Sequence, residues 1–229
     1  MTNINQRLQS VKDKISEAET KFGRESGSVS LLAVSKTHPA ETIIEAFSSG
    51  QRSFGENYLQ HAVPKIQELR DYDIEWHFIG PLQSNKTRPV AENFTWVHSV
   101  DREKIAQRLS DQKPVEKAPI NICIQVNVSD EDNKSGVDFE SVEELAQAIT
   151  NLQGVHLRGL MAIPEITDDI ELQRANFRKL REKFEELNGK GFELDTLSMG
   201  MSDDLESAVA EGSTMVRVGT AIFGARRAK

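Results

Sequence analysis

Eight short apolar runs, rich in β-branched and aromatic residues, punctuate this chain at residues 31–34, 52–55, 75–79, 96–100, 120–128, 157–163, 196–199 and 215–218. Each interval between them has room for a helix and two loops. Parallel neighbours need such a crossover, so the rhythm predicts a parallel sheet with helices packed outside it. An open doubly wound sheet more often has five or six strands, whereas eight βα units closing on themselves make a TIM (β/α)8 barrel, a fold of about 250 residues. The chain has 229. The predicted fold class is therefore α/β, a single TIM barrel with an extra helix at its N-terminus.

That extra helix is written in Ile4, Leu8, Val11, Ile15, Ala18 and Phe22, whose alternating spacings place them on one face, with Gly23 ending it. Other helical signals are Pro39 opening 40–49, Asp101 as the cap of 102–110, and Ser141 ahead of 142–152. The longest helix, about 170–187, sets Phe177, Leu180, Phe184 and Leu187 on one stripe opposite a charged face, the pattern of an outer-ring helix. No glycine- or proline-rich linker interrupts the sequence, so residues 1–229 are read as one domain. The acidic stretch 129–138, which contains Lys134-Ser135-Gly136, is expected as a loop beyond the fifth strand.

Composition narrows the partners. Lys and Arg number 28 against 36 Asp and Glu, a formal net charge of -8 that repels polyanions, so nucleic acid and anionic membrane surfaces are not expected. Charged residues at 28% and hydrophobic ones at 38% are the mixture of a soluble globular protein. Residues 1–14 are polar and charged, without the apolar centre of a signal peptide, and no run of about 20 apolar residues occurs. The single cysteine, Cys123, lies between Ile122 and Ile124 and reads as a buried thiol. A cytoplasmic protein is expected. Packing on the barrel accounts for the apolar face of the first helix, so the expected state is a monomer.

In a TIM barrel, function sits on the loops that follow the strands. The first strand ends in Ala33-Val34-Ser35-Lys36, which delivers a lysine to the mouth. Lys36 reads as an ordinary strand-end lysine or, if partly desolvated, as a Schiff-base nucleophile toward an aldehyde. After strand seven, Ser198-Met199-Gly200-Met201-Ser202-Asp203-Asp204 leads into a helix at 205–211; Arg217-Val218-Gly219-Thr220 ends strand eight and opens a short helix at Ala221. Two helix starts side by side offer unpaired N–H groups and positive dipole ends to a phosphate. Taken singly, Ser202 and Asp203 read equally well as N-caps and Gly219 as a tight turn. A mouth lysine, a phosphate cradle and the inward Arg217 together describe a site for a phosphorylated aldehyde, and pyridoxal 5'-phosphate meets that description.

His38, His61, His77, His98 and His156 show no metal-ligand spacing, so no metal site is expected. Neither a GxSxG nor a Walker glycine loop occurs. His77 reads either as a pocket residue or as a satisfied core histidine.

The same residues carry a resemblance. Ala33-Val34-Ser35-Lys36, Phe54-Gly55-Glu56-Asn57-Tyr58, Trp76-His77-Phe78-Ile79-Gly80-Pro81-Leu82-Gln83-Ser84-Asn85-Lys86, Gly159-Leu160-Met161-Ala162-Ile163-Pro164, the 198–204 segment and Val216-Arg217-Val218-Gly219-Thr220-Ala221-Ile222-Phe223-Gly224 resemble the pyridoxal phosphate homeostasis (YggS or PROSC) family from about residue 5 to residue 227. The resemblance implies a barrel like the N-terminal domain of alanine racemase, with pyridoxal 5'-phosphate held as a Schiff base on Lys36. It implies Arg217 at the pyridine nitrogen, Ser202, the Met201 backbone, Gly219 and Thr220 around the phosphate, and Asn57 near the other side of the ring. It also implies cofactor buffering and delivery to apo-enzymes, with no catalytic residue.

An arginine at the pyridine nitrogen keeps that nitrogen unprotonated and weakens the ring as an electron sink relative to an aspartate. Transamination and decarboxylation are thereby disfavoured. Racemisation stays electronically open but needs a second base, which alanine racemases take as a tyrosine from an additional C-terminal domain, for which a chain ending at Lys229 leaves no residues. The residue four after the lysine, commonly tyrosine in those enzymes, is Ala40, and only Tyr58 and Tyr72 occur. Tyr58 belongs either at the mouth or against a neighbouring loop. Three readings stand at this point: a homeostasis protein without committed turnover, a small amino-acid racemase using the same cofactor, and a phosphosugar-binding barrel with an ordinary Lys36.

Overall fold

Strands form where the β-branched and aromatic residues cluster, and all eight lie parallel. A computed structural model describes residues 3–129 and 135–224. Its first half runs α1 (Ile4–Lys21), β1 (Ser30–Val34), α2 (Ala40–Ser48), β2 (Ser53–Glu56), α3 (Leu59–Glu68), β3 (Glu75–Phe78), a 3-10 turn at Ser84–Lys86, α4 (Thr87–Asn93), β4 (Trp96–Val100) and α5 (Glu103–Gln112). The second half runs β5 (Ile120–Gln125), α6 (Val142–Thr150), β6 (Val155–Met161), α7 (Ile170–Gly189), β7 (Thr196–Ser198), α8 (Leu205–Ala210), β8 (Met215–Val218) and α9 (Thr220–Phe223). Each strand pairs with its sequence neighbours, and β1 closes the barrel on β8 through Ser30↔Met215 to Ala33↔Val218.

Six strands match their predicted limits within one residue. The other two differ for a local reason. β5 stops at Gln125 because Val126 leaves the ladder for an isolated bridge to Val137, with Val137 N–H donating to Gln125 O at 2.9 Å. β6 starts earlier, at Val155 opposite Ile120, and ends at Met161, so Ile163 lies in the following loop with 43% of its surface exposed. Within the acidic stretch, residues 130–134, Lys134 among them, fall outside the described residues.

The helix starts also depart in detail. Asp101 does not cap α5: its carboxylate pairs with Arg102 Nη1 at 2.6 Å, and Arg102 is the residue before the helix. Ser141 precedes α6 without a side-chain capping bond, its own N–H going to Asp138 Oδ1 at 2.7 Å. α1 carries a capping box that periodicity did not show, Asn3 Oδ1 accepting from Gln6 N–H at 2.9 Å. α1 buries Ile4, Leu8, Val11, Ile15 and Ala18 against α2, α8 and α9. On α7, Phe177, Leu180 and Leu187 are fully buried, as the stripe requires. No helix among the described residues is long and apolar enough to cross a membrane.

Two small apolar clusters lie apart from the main core: Leu32, Val34, Ile79 and Met215 form one, and Trp96, Cys123 and Met161 the other. Strand alternation turns these residues inward. Between them the barrel lumen holds polar side chains, His77, His98, Ser198 and Arg217, all buried. His77 is a core residue and does not line the mouth.

Candidate functional site

At the carboxyl ends of the strands a cavity of about 500 Å³ opens to solvent. Lys36, Asn57, Met201, Ser202, Arg217, Gly219 and Thr220 all line it, joined by His38 and Asp203. These come from the ends of four strands, β1, β2, β7 and β8, and the barrel closure is what makes them neighbours.

Lys36 occupies a tight turn. His38 N–H donates to Ser35 O at 3.0 Å, closing four residues with Lys36 second and Thr37 third. Thr37 sits in the left-handed region, φ 67°, a position that costs a β-branched residue about 1–3 kcal/mol unless its surroundings enforce it. Lys65 of α3 supplies that enforcement from beneath. Its ammonium donates to Ser35 O at 3.2 Å and His38 O at 3.1 Å, and pairs with Glu56 Oε1 at 2.5 Å, which also accepts from Ser35 Oγ at 2.6 Å. His38 packs its ring on Phe223, centroids 5.0 Å apart, and burial, then the Lys65 and Arg7 charges, hold its pKa below the usual histidine value.

Arg217 reaches the cavity from β8. Nη1 donates to Ser198 O at 2.6 Å and Ser198 Oγ at 2.9 Å, and Nη2 to Ala162 O at 2.9 Å. These use three of its five N–H donors and leave two for a ligand. Burial lowers its pKa to about 10, so the guanidinium stays charged at neutral pH.

The segments after β7 and β8 are stitched together by Arg217 N–H donating to Gly200 O at 2.9 Å. Gly200 has φ 98°, and a Cβ there would come within 2.6 Å of Ala208 Cβ, so this glycine serves the approach of α8 and not of a ligand. Neither Ser202 nor Asp203 caps α8. Asp204 precedes it, and its carboxylate turns back to accept the Met201 N–H at 2.5 Å. Thr220 and Ala221 begin α9, where first-turn N–H groups have no acceptor within the helix. Asn57 contributes a buried Oδ1 with no hydrogen-bond partner. A charged donor, an unsatisfied acceptor, a hydroxyl and free-facing N–H groups around one lysine fit a phosphorylated aromatic aldehyde.

A family profile described as the alanine racemase N-terminal domain matches residues 7–227. The pyridoxal phosphate homeostasis protein of Pseudomonas aeruginosa is 56% identical over 226 residues, which cover 99% of this chain and 97% of that one. The chain belongs to the pyridoxal phosphate homeostasis protein family. The Escherichia coli member is 53% identical, over 99% of this chain and 98% of its own. The solved structure of PipY from Synechococcus elongatus with PLP bound has a TM-score of 0.85 and 39% identity, covering 97% of this chain and 100% of that one.

In this homeostasis-family chain, Tyr58 is 46% exposed and meets His61 of α3 edge-on, centroids 6.4 Å apart, so it lies against the first turn of that helix and not on a neighbouring loop, and it does not line the cavity. Sequence reasoning missed His38 and the Lys65–Glu56 pair. His38 carried a signal, lying two residues from Lys36. Lys65 carried one too: at helical spacing from Ala62 and Leu69 it falls on the buried face of α3, where an unpaired charge does not belong.

Proposed function

We propose that this chain binds pyridoxal 5'-phosphate at Lys36 and serves in its homeostasis, buffering the cofactor and passing it to apo forms of pyridoxal phosphate-dependent enzymes without committed turnover. The observation that carries the reading is the convergence of Lys36, Arg217, Ser202 and the start of α9 on one cavity. When bound, the cofactor supplies an aldehyde that condenses with a primary amine, releasing one water. In this reading Lys36 provides that amine, Arg217 faces the ring nitrogen, and Asn57 lies on the other side of the ring. Ser202, Gly219 and Thr220 surround the phosphate, and the Met201 N–H joins them when it exchanges its bond to Asp204 Oδ1 for a phosphate oxygen.

A cation at the ring nitrogen supports binding over turnover, because it disfavours protonation of that nitrogen and with it carbanion stabilisation. The single thiol, Cys123, is buried and its pKa is pushed up to about 12, chiefly by burial, which fits a protein of the reducing cytoplasm. The apolar face of α1 is covered within the chain, which supports a monomer in which residues 1–229 act as one domain.

The test is a visible spectrum with added pyridoxal phosphate, then borohydride reduction and peptide mapping. A yellow band with the label on the Lys36 peptide is expected. No band, or label scattered over several lysines, overturns the reading. Loss of optical activity from an L-amino acid, abolished by Lys36→Ala, would overturn the non-catalytic part alone.

A further inference from the structure

The proposed site leaves unexplained the polar file that crosses the barrel lumen. His98 on β4 and Ser198 on β7 are not neighbours in the sheet, so the 2.8 Å contact between His98 Nδ1 and Ser198 Oγ spans the interior. At one end Ser198 Oγ accepts from Arg217 Nη1 at 2.9 Å. At the other, His98 Nε2 meets His77 Nδ1 at 2.9 Å, and His77 Nε2 meets Glu75 Oε2 at 2.9 Å. His77, His98 and Ser198 are fully buried, and His77 stacks on Trp96 with the ring planes 9° apart. Glu75 opens β3, so it lies at the end of the barrel opposite the cavity.

With both rings neutral, as their complete burial favours, the ends of this file fix every proton between them. Arg217 can only donate. Glu75 accepts: Trp96 Nε1, which can only donate, gives to its Oε1 at 3.0 Å, and Ser53 Oγ lies 3.1 Å from its Oε2. His77 therefore carries its proton on Nε2, directed at the carboxylate, and its neutral ring leaves Nδ1 bare. A bare Nδ1 needs a donor, so His98 carries its proton on Nε2 as well. The bare Nδ1 of His98 then takes the Ser198 hydroxyl proton, which leaves a Ser198 lone pair for Arg217. Reversing any one link sets two donors or two bare acceptors face to face.

We propose that Glu75, His77, His98 and Ser198 form a one-way hydrogen-bond file that fixes the position of the Arg217 guanidinium at the cavity. A carboxylate at the far end of the barrel thereby governs the group that meets the ligand. The ligand class this selects is a flat ring presenting a bare nitrogen or oxygen acceptor. The inference rests on the reading in which Arg217 faces a pyridine nitrogen. The four are positioning residues, and of them Ser198 alone touches Arg217.

The decisive measurement uses the full chain without cofactor: a two-bond ¹H–¹⁵N spectrum of the histidine rings near neutral pH. His77 and His98 are both expected as neutral rings protonated on Nε2; a proton on Nδ1 of either overturns the file. Glu75→Gln, a change at a half-exposed position, is expected to move the His98 ring resonances; unchanged resonances overturn the coupling. With pyridoxal phosphate titrated in, Ser198→Ala is expected to bind about three- to tenfold more weakly, the worth of one buried hydrogen bond. Wild-type affinity in both variants, with folding verified by circular dichroism, overturns the positioning role. A wild-type protein that binds no pyridoxal phosphate overturns the cofactor reading instead, and the ring protons then decide the file by themselves.

Discussion

Lys65 holds the turn that presents Lys36. Its Nζ lies 2.5 Å from Glu56 Oε1 and donates to the carbonyl oxygens of Ser35 and His38, one on either side of the Lys36-Thr37 pair. Both side chains are buried, the lysine 9% and the glutamate 1% exposed. Lys65→Met strands the Glu56 carboxylate in the interior, where removing one partner of a buried pair costs about 3–5 kcal/mol. Chemical denaturation measures that loss. In the folded variant, slower borohydride-trapped labelling of the Lys36 peptide is expected, since the left-handed Thr37 loses its restraint.

Acid should unfold this protein in two stages. Burial holds His77 below, and His98 well below, the ordinary 6.5, so below that pH the unfolded chain binds protons that the folded chain refuses. Stability then falls as pH drops from 6.5. Glu75, lowered to about 2 first by its hydrogen bond to His77, adds a second loss between the ordinary 4.5 and about 2, where the unfolded carboxylate is protonated and the folded one is not. A Tm that is level above neutrality and already declining between about pH 6.5 and 5 is the expected profile. A level Tm across that interval would show that the two imidazoles accept protons in place.

Of the described glycines, Gly159 is the one at which an added Cβ would meet another backbone most closely. An added Cβ would overlap the Thr196 carbonyl oxygen and lie 2.6 Å from its carbon, both backbone atoms that cannot rotate away. Gly159→Ala is expected to destabilise by at least about 3 kcal/mol or to prevent β6 from pairing with β7. A urea midpoint like that of the wild type would show that the two strands can spread.

Ser202→Ala removes one charge-assisted hydrogen bond to the phosphate in the proposed mode. Weaker pyridoxal phosphate binding by about 1.5–3 kcal/mol is expected, with the Lys36 linkage still trapped. Titration followed by absorbance gives the number, and an unchanged affinity removes Ser202 from the site.

The periodicities of this sequence determine the barrel. β-branched runs separated by helix-length intervals leave few other ways to bury both faces of eight strands, and the match of six strands within one residue follows from that. The location of Lys36 and Arg217 at the mouth was legible for a related reason: Lys36 follows β1 and Arg217 lies next to last in β8, and strand ends in this fold gather at one mouth. Two cap identities were not legible: Asp101 found a nearer partner, the Arg102 guanidinium, than the helix start, and α8 begins after Asp204, beyond the Ser202 and Asp203 candidates. Nor could sequence show that Lys65 serves Lys36, or that Glu75, His77, His98 and Ser198 make one file, since these pairings join strands and helices far apart in the chain. Their partners are chosen by distance and hydrogen-bond direction inside a closed lumen, and those quantities exist only once the barrel has closed.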